Sequence, residues 1–293
     1  MDITVNTKLH PLLGKPLRQS LSSRLCNRMY ERMGVDWYRF PVEIEREGVG
    51  PMLQAFRYMN VGCIGVTKPY KVDVIPFLDG MDELTSKIGA VNTIRVEDGK
   101  FIGKNVDGPA FLNSLREDAG SDAPGTTFFC FGAGGAGKAI CCTLAYHGAK
   151  RIYITDKFDK FAKALTDEIN TEFSPVAVQI PYEDKAAVER AFRESRVVMN
   201  VSGVGMAPDL TATPADPSWF SPDQIAFDAT YNPAKTQFLA DAEAAGCFIF
   251  NGKKMLIRCQ MAGFKERLGE CPDYEEWSKL FDELLSENSV AGR

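Results

Sequence analysis

The chain has 293 residues, 45% of them hydrophobic and 25% charged, with a formal net charge of −5. That length favours two domains over one core, and the acidic balance excludes a general nucleic-acid binder, which needs a basic face to neutralise phosphates. No run of about 18 apolar residues is present to span a membrane, and no basic stretch leads into an apolar one near Met1 as in a secretory signal, so a cytoplasmic protein is expected.

In chain order, Ile3–Val5 and Trp37–Val42 read as strands, and Ser22–Met33 as a helix stopped by Gly34. Val49, Met52, Leu53, Phe56 and Met59 recur at helical spacing ahead of a strand at Val61–Thr67. Pro69 is expected to open a helix toward Leu78, because proline suits a first helical turn. Ala90–Val96 and Lys100–Lys104 flank Glu97-Asp98-Gly99, whose Asp-Gly turn marks a hairpin. A helix follows from Asp107 to about Leu115, and the polar segment Glu117–Gly125 comes after it.

From Thr126 strands and helices alternate regularly. Candidate strands are Thr127–Phe131, Arg151–Thr155, Val176–Ile180, Val197–Asn200, Ile225–Asp228 and Phe248–Phe250. Such alternation predicts a parallel, doubly wound sheet. Met255–Leu268 and Tyr274–Leu285 are amphipathic helices expected to pack back on the first domain. The expected fold class is α/β. An N-terminal α/β substrate domain covers residues 1–108, with the C-terminal helices 252–293 packing back. A Rossmann dinucleotide domain with a doubly wound parallel sheet covers 109–251.

The eight cysteines (Cys26, Cys63, Cys130, Cys141, Cys142, Cys247, Cys259 and Cys271) are scattered and form no CxxC. Neither a disulfide framework nor a metal site is expected, and the thiols read as reduced. Only two histidines exist. His10 is read as preceding the N-terminal strand, and His147 ends a helix before Gly148. Neither sits in a promising motif, so proton transfer falls to Lys, Asp or Tyr.

The apolar run Phe128–Phe131 leads directly into Gly132-Ala133-Gly134-Gly135-Ala136-Gly137. Gly132, Gly134 and Gly137 give the GxGxxG spacing, which allows a tight turn, close approach of pyrophosphate and close helix–strand packing. Ala136–Tyr146 supplies a helix whose N-terminus favours phosphate charge. The next strand ends at Thr155-Asp156, 24 positions after Gly132. An acid there accepts from adenine-ribose hydroxyls and repels a 2′-phosphate, so NAD is expected over NADP. Lys157 and Lys160 partly offset that repulsion, and Asp159 offers a second acid. The plainer reading of Asp156 is a turn aspartate.

Four clusters mark the first domain. Ser20 and Ser22 are two apart in Gly14–Ser22, a spacing that projects both hydroxyls to one side of an extended chain, toward an anion. A helix N-cap is their plainer reading, and Ser22 fits it. Lys71, in Val66-Thr67-Lys68-Pro69-Tyr70-Lys71, would lie in the first turn of the helix expected after Pro69. A cation is disfavoured there, and the neutral form that suits proton transfer is favoured. Asn92, in Gly89-Ala90-Val91-Asn92-Thr93, offers a donor and an acceptor. Asp107, in Asn105-Val106-Asp107-Gly108, either partners Lys71 or caps the following helix, and taken alone capping is the better reading.

Together, in order and over nearly the whole chain, these clusters resemble the shikimate/quinate dehydrogenase family. Its signatures S-x-S, VT-x-P-x-K, GAVNT, N-x-DG and GAGGAG are matched, as are Asn200 to Met206, Asp228 to Pro233, and Gly252 through Met255 to Gln260. The resemblance implies that Ser20 and Ser22 bind the substrate carboxylate and that Lys71 and Asp107 are the catalytic pair. It implies that Asn92 and Gln260 contact ring hydroxyls, that Thr67 and Tyr231 line the same site, and that Met255 lies near the nicotinamide. Asn200 and Gly252 are counted with the cofactor-binding residues, beside Gly132 to Gly137, Asp156 and Lys157. A homodimer is implied by the resemblance only.

Departures from the family pattern shift the expected activity. Gly65 stands where biosynthetic shikimate dehydrogenases usually carry asparagine, and members resembling the quinate/shikimate enzymes can have glycine there. Gln19 and Cys26 replace frequent histidines, and Ser23 a frequent proline. Asp156-Lys157 replaces the Asn-Arg that holds a 2′-phosphate in NADP-using relatives. These point to an NAD-linked oxidoreductase acting on shikimate, quinate, an amino analogue or another hydroxylated ring acid. Two rivals are weighed. A short-chain dehydrogenase needs Tyr-x-x-x-Lys on a helix, and Tyr153…Lys157 and Tyr231…Lys235 have the spacing in unsuitable contexts. A non-catalytic NAD-binding sensor or interaction protein on this scaffold would need no proton-transfer pair.

Overall fold

The computed structural model describes residues 2–17 and 20–291, the last four of these by backbone alone. Gln19 therefore lies outside the described residues. The chain divides into two units, Met1–Val106 with Cys259–Arg293, and Asp107–Arg258. Among the described residues no helix is long and apolar enough to cross a membrane, and no group of three or more His, Cys, Asp or Glu could hold a metal ion. All eight cysteines are free thiols.

Unit 1 is built on a six-stranded mixed sheet. Its elements are β1 (Lys8–Leu13), α1 (Ser22–Met33), β2 (Trp37–Val42), α2 (Val49–Phe56), β3 (Cys63–Val66), β4 (Gly80–Met81), α3 (Glu83–Ile88), β5 (Thr93–Glu97) and β6 (Lys100–Lys104). The strand order is β2-β1-β3-β5-β6-β4. β1 is parallel to β2 and β3, while β5 is antiparallel to β3 and β6. The hairpin forms at Asp98-Gly99, both with positive φ, as a two-residue loop requires. One sheet face buries Leu13, Ile64, Val66, Ile94 and Phe101 against Leu53 and Phe56 of α2. On α1, Tyr30 stacks on Phe264 at 4.6 Å, and Arg28 and Arg32 reach Glu287 and Glu283 of the C-terminal helix α10 (Tyr274–Ala291).

Two expectations fail in this unit. Ile3 and Val5 are exposed and outside any strand; the first strand is Lys8–Leu13, and His10 lies inside it. Pro11 masks this strand, since proline breaks a ladder. Pairing with β3 is interrupted there, between Leu9↔Val61 and Leu12↔Gly65. After Pro69 the chain makes successive turns and a 3-10 segment, Ile75–Phe77, rather than an α-helix. Pro76 has no N–H to bond back to Val72 O as an α-helix requires, and the β-branched Val72, Val74 and Ile75 weaken any helix before it. With no helix, the dipole argument for a neutral Lys71 falls.

Unit 2 carries the repeating pattern. Its elements are α4 (Asp107–Ala119), β7 (Thr127–Phe131), α5 (Gly135–Tyr146), β8 (Arg151–Thr155), α6 (Asp159–Glu172), β9 (Ala177–Gln179), α7 (Lys185–Arg193), β10 (Val197–Asn200), β11 (Ile225–Asp228), α8 (Gln237–Ala244) and β12 (Phe248–Asn251). α9 (Gly252–Leu268) begins here and contains the division between the units. All strands are parallel, in the order β12-β11-β10-β7-β8-β9. This is the doubly wound order of a Rossmann fold, whose ligands bind outside the carboxyl ends of the strands. Strands buried on both faces explain the unbroken apolar runs, and Phe129, Phe131, Phe192 and Phe238 fill one face.

Candidate active site

The glycine turn of unit 2 sits at the point where strand order reverses, between β7 and β10. Gly132 has φ +104°, and a β-carbon on it would lie 2.8 Å from the backbone of Ser202. On Gly137 it would meet Gly132 O at 2.2 Å, so only glycine lets α5 pack this close to β7. At Gly134 and Gly135 it would meet no protein atom. The bare N-terminus of α5 thus offers unbonded N–H groups that a pyrophosphate can approach. The residues present fit a dinucleotide.

Asp156, directly after β8, accepts hydrogen bonds from Ala133 N–H (2.8 Å) and Phe158 N–H (2.9 Å). It organises a turn, and it stays half-buried beside the fingerprint with further acceptor capacity. Lys157 is exposed.

Asn200 is fully buried and committed within the protein. Its Nδ2 donates to Val204 O (2.9 Å) and Asp228 Oδ2 (2.8 Å), while Oδ1 accepts from Ser202 N–H and hydroxyl. These bonds brace the loop after β10. Asp228 completes that brace, accepting also from Thr230 N–H (2.8 Å) and Thr236 Oγ1 (2.7 Å). Burial raises its pKa against the pull of those donors. Gly252 passes so close to Ala229 O that a β-carbon would sit 1.9 Å away. Met255 is 8% exposed in the first turn of α9, and burial raises the pKa of the Tyr231 phenol. Gly132–Gly137, Asp156, Asn200, Tyr231, Gly252 and Met255 all follow or end strands at the carboxyl edge of this sheet.

In unit 1 the candidate residues gather at one end of the sheet. Gly14–Leu17 leaves the end of β1, Ser20 and Ser22 stand at the start of α1, Thr67 to Lys71 leaves β3, Asn92 enters β5, and Asn105-Val106 leaves β6. Backbone bonds stitch them: Thr67 N–H to Leu13 O, Val66 N–H to Asn92 O, Asn92 N–H to Lys104 O, and Val91 N–H to Lys71 O. Ser20 Oγ and Ser22 Oγ are 3.0 Å apart. The helix N-cap falls on Leu21 with no side-chain cap, so neither serine is consumed in that role. Asn92 Oδ1 accepts from Val106 N–H (3.0 Å), which orients its amide as a donor and fixes the backbone just before Asp107. Lys71 is half-buried in unit 1, and Asp107 opens α4 of unit 2.

Gln260 joins a buried cluster that sequence reasoning missed. Its Oε1 lies 3.1 Å from Cys26 Sγ and 3.4 Å from Arg39 Nη1. Arg39 also donates to His10 Nε2 (2.9 Å), and His10 Nδ1 is 2.8 Å from Tyr30 OH. Burial, then the charges of Arg39 and Arg267, hold His10 well below the usual histidine range. It is a neutral acceptor for Arg39. Arg39 belongs to no motif. Its one sequence signal is a charge between Tyr38 and Phe40 in a strand.

A family model for the shikimate dehydrogenase substrate binding domain matches residues 12–94. A shikimate dehydrogenase (NADP(+)) of Moorella thermoacetica is 33% identical, covering 100% of both chains. The chain belongs to the shikimate dehydrogenase family. A solved shikimate 5-dehydrogenase of Listeria monocytogenes, in complex with shikimate and NAD, is 30% identical, covers 96% of this chain and 98% of its own, and superposes with a TM-score of 0.91. A quinate dehydrogenase of Corynebacterium glutamicum in complex with NAD is 26% identical over 94% of this chain and 99% of its own, with a TM-score of 0.87. As a shikimate dehydrogenase family member the chain is an oxidoreductase using a nicotinamide dinucleotide, on a substrate-binding and Rossmann-type architecture.

Proposed function

We propose that the protein catalyses reversible, NAD-linked oxidation of a hydroxylated ring acid, shikimate or quinate, to its 3-dehydro ketone, the nicotinamide taking the hydride from the carbinol carbon. The observation that carries this reading is the convergence of Ser20, Ser22, Thr67, Lys71 and Asn92 at one end of the unit 1 sheet. That arrangement combines an anion-binding hydroxyl pair, a cation and an amide donor, the chemistry a polyhydroxylated carboxylate requires.

Ser20 and Ser22 would bind the carboxylate, and Asn92 and Gln260 the ring hydroxyls. Thr67 and Tyr231 would complete the lining. Lys71 and Asp107 would manage the proton of the reacting hydroxyl, a role typically worth about 10²–10⁴-fold. In unit 2 the backbone of Gly132–Gly137 would hold the pyrophosphate, Asp156 the adenine-ribose hydroxyls, and Met255 would lie beside the nicotinamide. Asp156 supports NAD over NADP, since its fixed carboxylate opposes a 2′-phosphate. Solved relatives are in complex with NAD in two cases and with NADP+ in another, and the Moorella relative is named for NADP. The test is initial rates at the reduced-nicotinamide absorbance band, with shikimate and quinate each paired with NAD and NADP. Turnover confined to NADP would overturn the cofactor assignment, and no turnover with any pair the substrate assignment.

A further inference from the structure

Arg39 is a buried cation whose partners are all neutral. It is 7% exposed, and among the described residues its Nη1 meets only His10 Nε2, Gln260 Oε1 and, at 3.6 Å, Cys26 Sγ. Its Nε is buried with no partner among the described residues. Among the described residues no carboxylate pairs with it. Arg267, in the same cluster, also binds neutral groups, Cys63 Sγ at 3.7 Å and Tyr30 OH at 3.3 Å. A buried guanidinium without a counter-charge, with a second, half-buried one beside it, is unfavourable unless a ligand supplies the charge.

Gly65 determines where the Arg39 side chain ends. Arg39 pairs with His10, and Leu12 with Gly65, so these four positions share one sheet face across β2, β1 and β3. A β-carbon on Gly65 would lie 2.6 Å from Arg39 Nη2 and 3.3 Å from its Cζ. The guanidinium therefore lies over bare backbone two residues before Thr67. It also neighbours Gln260, and Cys26 one helical turn beyond Ser22.

We propose that Arg39 is a substrate-recognition residue whose guanidinium, lying over Gly65, binds the carboxylate of the ring acid together with the serine pair. This rests on reading unit 1 as the substrate-binding part. Arg39 distinguishes a charged ring acid from its neutral ester, and Gly65 is what admits it.

The test compares the wild-type full chain with Arg39→Gln, Arg39→Lys and Gly65→Ala. Shikimate, quinate and their methyl esters are used, with initial rates and ligand-induced melting shifts as readouts. Arg39→Gln should raise KM for the acids about 10- to 100-fold, with kcat changed less than about threefold and KM for the esters unmoved. Arg39→Lys should recover part of the loss. Gly65→Ala should reproduce it by displacing the guanidinium, which keeps the test decisive if Arg39→Gln does not fold. A purely structural role would leave the acid-to-ester ratio unchanged in the variants, and that result overturns the proposal. If the wild-type protein turns over neither acid, the proposed reaction fails while melting shifts still decide Arg39. Stabilisation by the acids that is lost in Arg39→Gln sustains the proposal, and no acid-specific shift in the wild type overturns it.

Discussion

The carboxylate of Asp156 accepts a hydrogen bond from the backbone N–H of Ala133, which ties the end of β8 to the first turn of the glycine fingerprint. The negative charge is thereby held at a fixed place beside the turn. Asp156→Asn keeps an acceptor for Ala133 and removes the charge. The expected outcome is a fall of roughly tenfold or more in the kcat/KM ratio of NAD to NADP, mainly through improved use of NADP, because about 1.4 kcal/mol is a tenfold change. Initial rates with both dinucleotides measure it. An unchanged ratio would reduce Asp156 to a turn residue.

Glycines of the fingerprint should separate stability from binding. At Gly137 a methyl group meets Gly132 O, so Gly137→Ala should destabilise the protein by about 1–3 kcal/mol, as overpacking does. At Gly134 a methyl meets nothing in the protein. Gly134→Ala should leave the urea midpoint unchanged and weaken NAD binding about tenfold or more, read by fluorescence titration.

The Asn200–Asp228 bond braces the loop after β10. Asn200→Ala strands buried partners, including the Asp228 carboxylate, and should cost about 1–3 kcal/mol. NAD affinity should fall with it, since Ser202 abuts Gly132. Denaturant unfolding and NAD titration of one preparation check both effects.

His10 gives stability a pH dependence. Its folded pKa lies well below the ordinary histidine value of about 6.5. Between the two values the unfolded chain binds a proton that the folded chain does not. The stabilisation is complete above about pH 6.5 and is lost as pH falls toward the folded value, at up to about 1.4 kcal/mol per pH unit. His147 is lowered too and adds in the same direction. Urea unfolding from pH 7 to 5 should show a shallower slope for His10→Gln than for the wild type.

The fold of unit 2 was legible because strands buried on both faces and a glycine turn write their signal in contiguous residues. Unit 1 was less legible. Pro11 concealed β1, and Pro69 suggested a helix that Pro76 and the β-branched residues before it prevent. Candidate site residues inside motifs, such as Ser20, Asn92 and Asp156, were visible by their spacing. Arg39 was not, because its position depends on Gly65, which is distant in sequence and meets it only through strand pairing. Asn200 was seen as a site residue, but the network that makes it a brace runs through Asp228 and Thr236, beyond the reach of local pattern.

The most direct measurement is NAD-linked oxidation of shikimate and quinate by the wild-type protein beside Lys71→Ala. The expected result is turnover that falls by about 10²–10⁴-fold in kcat in the variant, with NAD affinity unchanged. Comparable turnover by wild type and Lys71→Ala would contradict Lys71 as the acid–base residue, and NAD binding without turnover of either acid would contradict the proposed reaction.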